Sequence, residues 1–335
     1  MVQRLILGIL VIVLGLMGAG PVLGQDVETK HPNIDSEAAY QEALRRIEQA
    51  RVSQSTELEF YGLALEEIPP EIAQLTQLQS LILTSTHLTS FPSEISQLKQ
   101  LKGLNLSSTR ITTIPSEVFQ FRQLQTLYLS HTNLRIVPPE IGLLTELQSL
   151  YLHRTSLITL PPEIGQLAKL RFLYLSDTNL TTLPSEIGKL TQLQELNASS
   201  TYLTVLPPEI WTLTQLQGLY LLDTKLSVLP PEIGQLTQLQ KLNLGSTYLT
   251  TLPSEVGELV QLQWIDLSYT PLTFPPPEIL SQGTPAILAY LRDYEAMMLR
   301  KTVAGIAAGV GGIAGVMLLF RWRQRRGLHE KKKRA

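Results

Sequence analysis

Ten copies of a 23-residue unit follow one another in this chain without an insertion. A threonine column sets the register: Thr86, Thr109, Thr132, Thr155, Thr178, Thr201, Thr224, Thr247 and Thr270 are each 23 residues apart. A glutamate column is stricter. Glu71, Glu94, Glu117, Glu140, Glu163, Glu186, Glu209, Glu232, Glu255 and Glu278 hold one position in all ten units. A period of about 20–29 residues with regular leucines means a solenoid, because each unit is one supersecondary element that cannot bury its own apolar face. Stability then comes from stacking neighbour on neighbour.

The segment from Leu78 to Gln100 shows how one unit folds. Leu81 and Leu83 alternate with Ile82, so the two leucines point to one side of a short strand and Ile82 to the other. Leu88 and Phe91 return to the leucine side. Pro92 suits the first position of a short helix or 3₁₀ turn, where its missing N–H costs little. Glu94 falls in that first turn, near the free N–H groups. Ile95 and Leu98, three apart, face inward. Ten such strands about 4.8 Å apart form a parallel sheet on the order of 45 Å long, lining the inner side of a curved body.

The pattern L-x-x-L-x-L-x-x-T-x-L-x-x-(apolar)-P-x-E-(I/V) closely resembles the leucine-rich repeat family, over roughly residues 56–279. The LPxEIGxLTxL stretches, at Leu160–Leu170 and Leu229–Leu239, are similar to its 23-residue bacterial and intracellular-signalling class. The resemblance implies an α/β solenoid, a leucine-rich repeat horseshoe. It also implies an asparagine where this chain has threonine, so a shorter ladder of threonine hydroxyls is expected between repeats. The flanks EALRRIEQAR and PPPEILSQGTPAILAYLRDYE resemble those of bacterial Roco-type proteins, which carry a GTPase domain after the repeats. No G-x-x-x-x-G-K-[ST] phosphate loop occurs here, since Gly188-Lys189 is followed by Leu190. What the resemblance carries over is a repeat platform and not a nucleotide switch.

Composition and patterning divide the chain into six segments. Residues 1–24 read as a signal peptide, with Arg4, an apolar run from Leu5 to Met17, and small Val22 and Gly24 before the cut. An uncleaved anchor is the alternative on length alone. Residues 25–54 carry an amphipathic capping helix with Tyr40, Leu44 and Ile47 on one face. The repeats fill 55–284. Residues 285–301 form a second cap, whose stripe of Ile287, Leu288, Leu291 and Tyr294 is expected against the last strand near Trp264 and Leu267. Thr302–Phe320 is an uncharged stretch of 19 residues, long enough for one transmembrane helix. Gly305, Gly309, Gly311 and Gly315 have the four-residue spacing that lets two such helices approach, which points to a homodimer.

Residues 321–335 carry eight basic side chains, which places them in the cytoplasm and the repeats outside the cell membrane, in the periplasm or beyond. The near-neutral total of 27 basic and 29 acidic residues hides an asymmetry. The tail is +7, whereas residues 25–301 carry 18 basic and 28 acidic side chains. Such an acidic body is a poor nucleic-acid binder. The basic tail suits anionic lipid headgroups. With no cysteine at all, the ends are closed by helices and not by disulfides.

No enzyme is expected, and no cofactor or metal. The five histidines lack metal spacing, and no nucleophile turn appears. What remains is a surface for a protein or peptide ligand. In the outward column of Ile82, residues Tyr128, Tyr151 and Tyr174 fall on consecutive strands, with Tyr220 further on. Phe172 shares their face, bordered by His131, His153, Arg154, Asp177 and Asp223. Aromatics ringed by charges are the usual material of binding hot spots. Signalling through a cytoplasmic partner, envelope scaffolding by self-assembly, and repeats facing the cytoplasm are the alternatives to receptor-like recognition.

Overall fold

Each 23-residue unit places three residues in a strand, and every strand pairs with the next at the same position of the repeat. The computed structural model describes residues 36–307. Within it, β1 (Glu57–Glu59), β2 (Ser80–Ile82), β3 (Gly103–Asn105), β4 (Thr126–Tyr128), β5 (Ser149–Tyr151), β6 (Phe172–Tyr174), β7 (Glu195–Asn197), β8 (Gly218–Tyr220), β9 (Lys241–Asn243) and β10 (Trp264–Asp266) form one parallel sheet in chain order. Leu81 pairs with Leu104 and Leu104 with Leu127, so the leucine column never slips. The ladder continues past each strand. The Leu83 N–H donates to the Asn105 carbonyl at 2.8 Å and the Ser85 N–H to that of Ser107 at 3.0 Å.

The inward columns make one continuous core. Leu81, Leu83, Leu88, Ile95, Leu98 and Leu101 are all fully buried. Each such side chain stabilises the stack by about 1.5–3 kcal/mol. Opposite the strands, nine units close with a 3₁₀ turn such as Ser93–Gln97. The tenth closes with a short α-helix, α2 (Pro277–Leu280). Pro92 stands one residue before its turn, as the extended N-cap at φ −71° and ψ 144°. Only where two prolines occur, as at Pro69-Pro70, does a proline take the first helical position.

The threonines correct the expected ladder. Each hydroxyl donates to the carbonyl three residues earlier in its own repeat, from Thr86 to Leu83 at 2.8 Å through Thr270 to Leu267 at 2.6 Å. The carbonyl three residues back lies within the same corner of the chain, so each hydroxyl of this column is satisfied inside its own repeat. It closes a local turn and makes no ladder between repeats, whose regular bonding is carried by the backbone. The residue before each threonine is left-handed: Ser85, Ser108, His131, Arg154, Asp177, Ser200, Asp223, Ser246 and Tyr269 have φ between 52° and 59°. The first repeat has Gly62 there, at φ 71°. For a non-glycine residue this conformation costs roughly 1–2 kcal/mol, held by the threonine bond behind it.

At the N-terminal end, α1 (Ser36–Ser53) packs on β1 and the first 3₁₀ turn. Its buried stripe is Ala39, Ala43, Ile47 and Ala50, while Tyr40 and Leu44 are half-buried. The stripe therefore sits about one residue round the helix from the expected one, because small alanines let α1 lie close to the first repeat. At the other end, α3 (Thr284–Ala307) buries Ile287, Leu288 and Leu291. It docks chiefly on the last 3₁₀ turn, Ser254–Glu258, and leaves Trp264 42% exposed. Gly257 permits this approach: a Cβ there would lie 2.7 Å from the Arg292 nitrogen. Phe274 closes the joint, its ring centroid 4.8 Å from that of Tyr294.

The α3 helix also runs unbroken through Thr302–Ala307, across the expected boundary between cap and membrane segment. Gly305 falls in its final turn. Among the described residues no helix is long and apolar enough to cross a membrane. The leader 1–24, the tail 321–335 and most of the expected membrane helix, with Gly309, Gly311 and Gly315, lie outside the described residues.

Candidate ligand-binding face

Each strand turns its first and third residues to the open face of the sheet. The third-residue column divides by side-chain chemistry. Asn105, Asn197, Asn243 and Asp266 fold back, each accepting from the backbone N–H two residues on, at 2.9–3.1 Å. Tyrosine lacks a short acceptor and cannot do this. The rings of Tyr128, Tyr151 and Tyr174 stand up from the sheet and stack, with centroids 4.4 Å and 4.8 Å apart and planes within 14° and 5°. That spacing is the inter-strand distance itself, and direct register across β4, β5 and β6 imposes it. The folded-back Asn105 and Asn197 mark the two ends of the stack.

His153 occupies the next outward position. It is hydrogen-bonded through Nδ1 to Ser130 Oγ at 2.9 Å, and its ring meets Tyr151 edge-on at 6.4 Å and His131 at 5.7 Å. His131, Arg154, Asp177 and Asp223 occupy one structural position, the left-handed corner, which sets them along one rim. Arg154 and Asp177 are 3.8 Å apart and largely exposed, so their pairing is worth little. Phe172 lies on the face under the Arg171 guanidinium, 5.5 Å from its ring centre. Tyr220 is separated from the stack by Asn197 and does not join it.

Sequence reasoning missed Glu195. It is the register partner of Phe172, and its carboxylate accepts the Tyr174 hydroxyl at 2.6 Å. The signal was available in the first-residue column, where Glu195 stands between Phe172 and Gly218.

Burial sets the protonation of the face. It raises the pKa of Tyr128, Tyr151 and Tyr174, with the Glu195 hydrogen bond adding to the rise at Tyr174. Tyr220 is pushed up to about 12, by burial and then by the Glu195 charge. His153 is pushed down to about 4 by burial, then by His131 and Arg154, against the weaker pull of Asp177. His131 is lowered by burial and Arg154. Near neutral pH these hydroxyls and imidazoles are uncharged. Among the described residues no group of three or more His, Cys, Asp or Glu is placed to hold a metal ion.

The sequence pattern described as a leucine-rich repeat region matches residues 159–243, and a second leucine-rich repeat pattern matches residues 76–134. The chain belongs to the leucine-rich repeat family. No curated protein matches it. Among solved structures it is similar to a leucine-rich repeat protein of Leptospira interrogans, at 40% identity and TM-score 0.63, over 66% of this chain and 57% of that one. It is also similar to the leucine-rich repeat ectodomain of the Arabidopsis thaliana membrane receptor kinase GASSHO1/SCHENGEN3, solved in complex with Casparian strip integrity factor 2. There the identity is 32% and the TM-score 0.56, over 62% of this chain and 26% of that one. The chain thus spans little more than half the length of the first relative and about a quarter of the second. It shares the leucine-rich repeat with both.

Proposed function

We propose that this leucine-rich repeat protein is held at the cell membrane by a single C-terminal helix and binds a protein or peptide ligand on the open face of its exported sheet. The observation that carries the reading is the stack of Tyr128, Tyr151 and Tyr174, fixed in register and bordered by His153 and the rim residues. Rigid aromatic side chains give contact area at low entropic cost, and a pre-ordered sheet loses little more on binding. The complex of the Arabidopsis receptor ectodomain with Casparian strip integrity factor 2 supports a ligand-binding role. The apolar leader, the uncharged stretch at Thr302–Phe320 and the basic tail support the anchor, its lipid contacts and the outward topology. Pairing through Gly305, Gly309, Gly311 and Gly315 would make the display bivalent.

Protease treatment of intact cells and of spheroplasts tests the topology, with one tag after Gln25 and another at the C-terminus. The expected result is loss of the repeat body with survival of the tail. Protection of the body until the inner membrane is opened would sink the exported reading and direct the search for partners to the cytoplasm.

A further inference from the structure

We propose that Glu195 recognises a basic side chain, the guanidinium or ammonium group of a ligand segment crossing the open face at β7. The inference rests on the binding reading above and narrows it to one chemistry. Glu195 is the outward first residue of β7, with Phe172 as its register partner on one side and Gly218 on the other. The Tyr174 hydroxyl donates to its Oε2 at 2.6 Å, which fixes the carboxylate and leaves Oε1 for a ligand. Gly218 supplies no side chain, and the Tyr220 ring takes that space. A Cβ on Gly218 would lie 2.9 Å from the Tyr220 ring and 3.3 Å from Glu195 Cγ. One carboxylate therefore stands among three aromatic rings, those of Phe172, Tyr174 and Tyr220.

The chain's own cations leave this carboxylate unneutralised. Arg171 is turned to the Phe172 ring and donates to Gln194 at 3.0 Å. Arg154 pairs with Asp177. Lys241 is two strands away, and among the described residues no Lys or Arg is within ion-pair distance of Glu195. Beside Glu195 on β7, Asn197 Oδ1 accepts from the Ser199 N–H, so its side chain lies low on the strand. Asp177 and Asp223, on the rims of the adjacent repeats, add negative potential. An apolar ligand group here would strip water from the carboxylate without replacing its bonds, and a neutral donor would leave its charge uncompensated. An anion would be repelled. A cation gains both the charge-assisted bond and the faces of the rings.

The test is selection from a display library of random peptides on the full chain in mild detergent, run in parallel on Glu195→Gln and Tyr151→Ala. Glutamine keeps an acceptor for the Tyr174 hydroxyl, and circular dichroism checks that each variant folds. The expected result is that wild-type binders share an arginine or lysine. Replacing it by citrulline or acetyl-lysine, or using Glu195→Gln, should weaken binding roughly tenfold to a hundredfold and flatten its salt dependence. Comparing arginine with lysine versions of one peptide distinguishes guanidinium from ammonium. Binders that need Tyr151 but are indifferent to Glu195 would overturn this inference and leave the binding face standing. Recovery of no peptide that depends on Tyr151 would overturn the binding face, and this inference with it.

Discussion

Leu150 and Tyr151 are neighbours on β5, yet they belong to different physical regimes. Leu150 points inward, is fully buried, and belongs to a column that is leucine in nine units and Ile265 in the tenth. Tyr151 points outward and stacks on two neighbours, because the column it occupies changes from Asn105 through three tyrosines to Asn197. The inner face is held by sameness: any leucine there touches equivalents before and after it. The open face is defined by departures from sameness. Stability is expected to reside in the first and recognition in the second.

Leu150→Ala should have the largest effect, a loss of about 3–5 kcal/mol that shifts the whole denaturant transition. If the fall were below about 1 kcal/mol, the inner column would not be the cooperative core. Thr155→Val comes next. It removes the donor at 2.8 Å from the buried Leu152 carbonyl and should cost about 1–3 kcal/mol in the same melt. On the open face, Tyr151→Ala should cost only about 0.5–1.5 kcal/mol of stability, while weakening a face-dependent peptide at least about tenfold by calorimetry. The reverse pattern, a large stability loss with unchanged binding, would make the stack structural.

Acid should expose the burial of His153. Its pKa is depressed to about 4 from an ordinary 6.5, so the folded state binds fewer protons than the unfolded state between those values. Stability is then fully present above about 6.5 and declines as pH falls towards 4. A His153→Gln variant should flatten that decline in Tm. The smallest effect is expected at the rim. Arg154→Gly matches Gly62 of the first repeat and relieves a left-handed arginine, so stability should hold or rise by up to about 1 kcal/mol. A clear loss would mean that the Arg154–Asp177 pair matters more than an exposed pair should.

The two helical ends show how far the sequence pattern carries. Both helices are legible from apolar spacing, but their seats are not. The α1 stripe turns to its alanines, and α3 settles on the last 3₁₀ turn because Gly257 lets its backbone approach. In the same way, the tyrosine column could be read off by counting 23 residues, and strand register then required the rings to meet. Glu195 escaped because its importance comes from a partner 21 residues earlier in the chain.

The sequence by itself determined the repeat, the parallel strands, the inward leucines and the set of outward positions, since a fixed period leaves each column only one place to lie. The tertiary structure decided the rest. It turned each threonine hydroxyl onto its own turn and made the residue before it left-handed. It folded the asparagines back while the tyrosines stood and stacked, and it surrounded one glutamate with three rings. Period is a property of the chain, whereas these outcomes depend on how side chains from separate turns meet across about 5 Å of space.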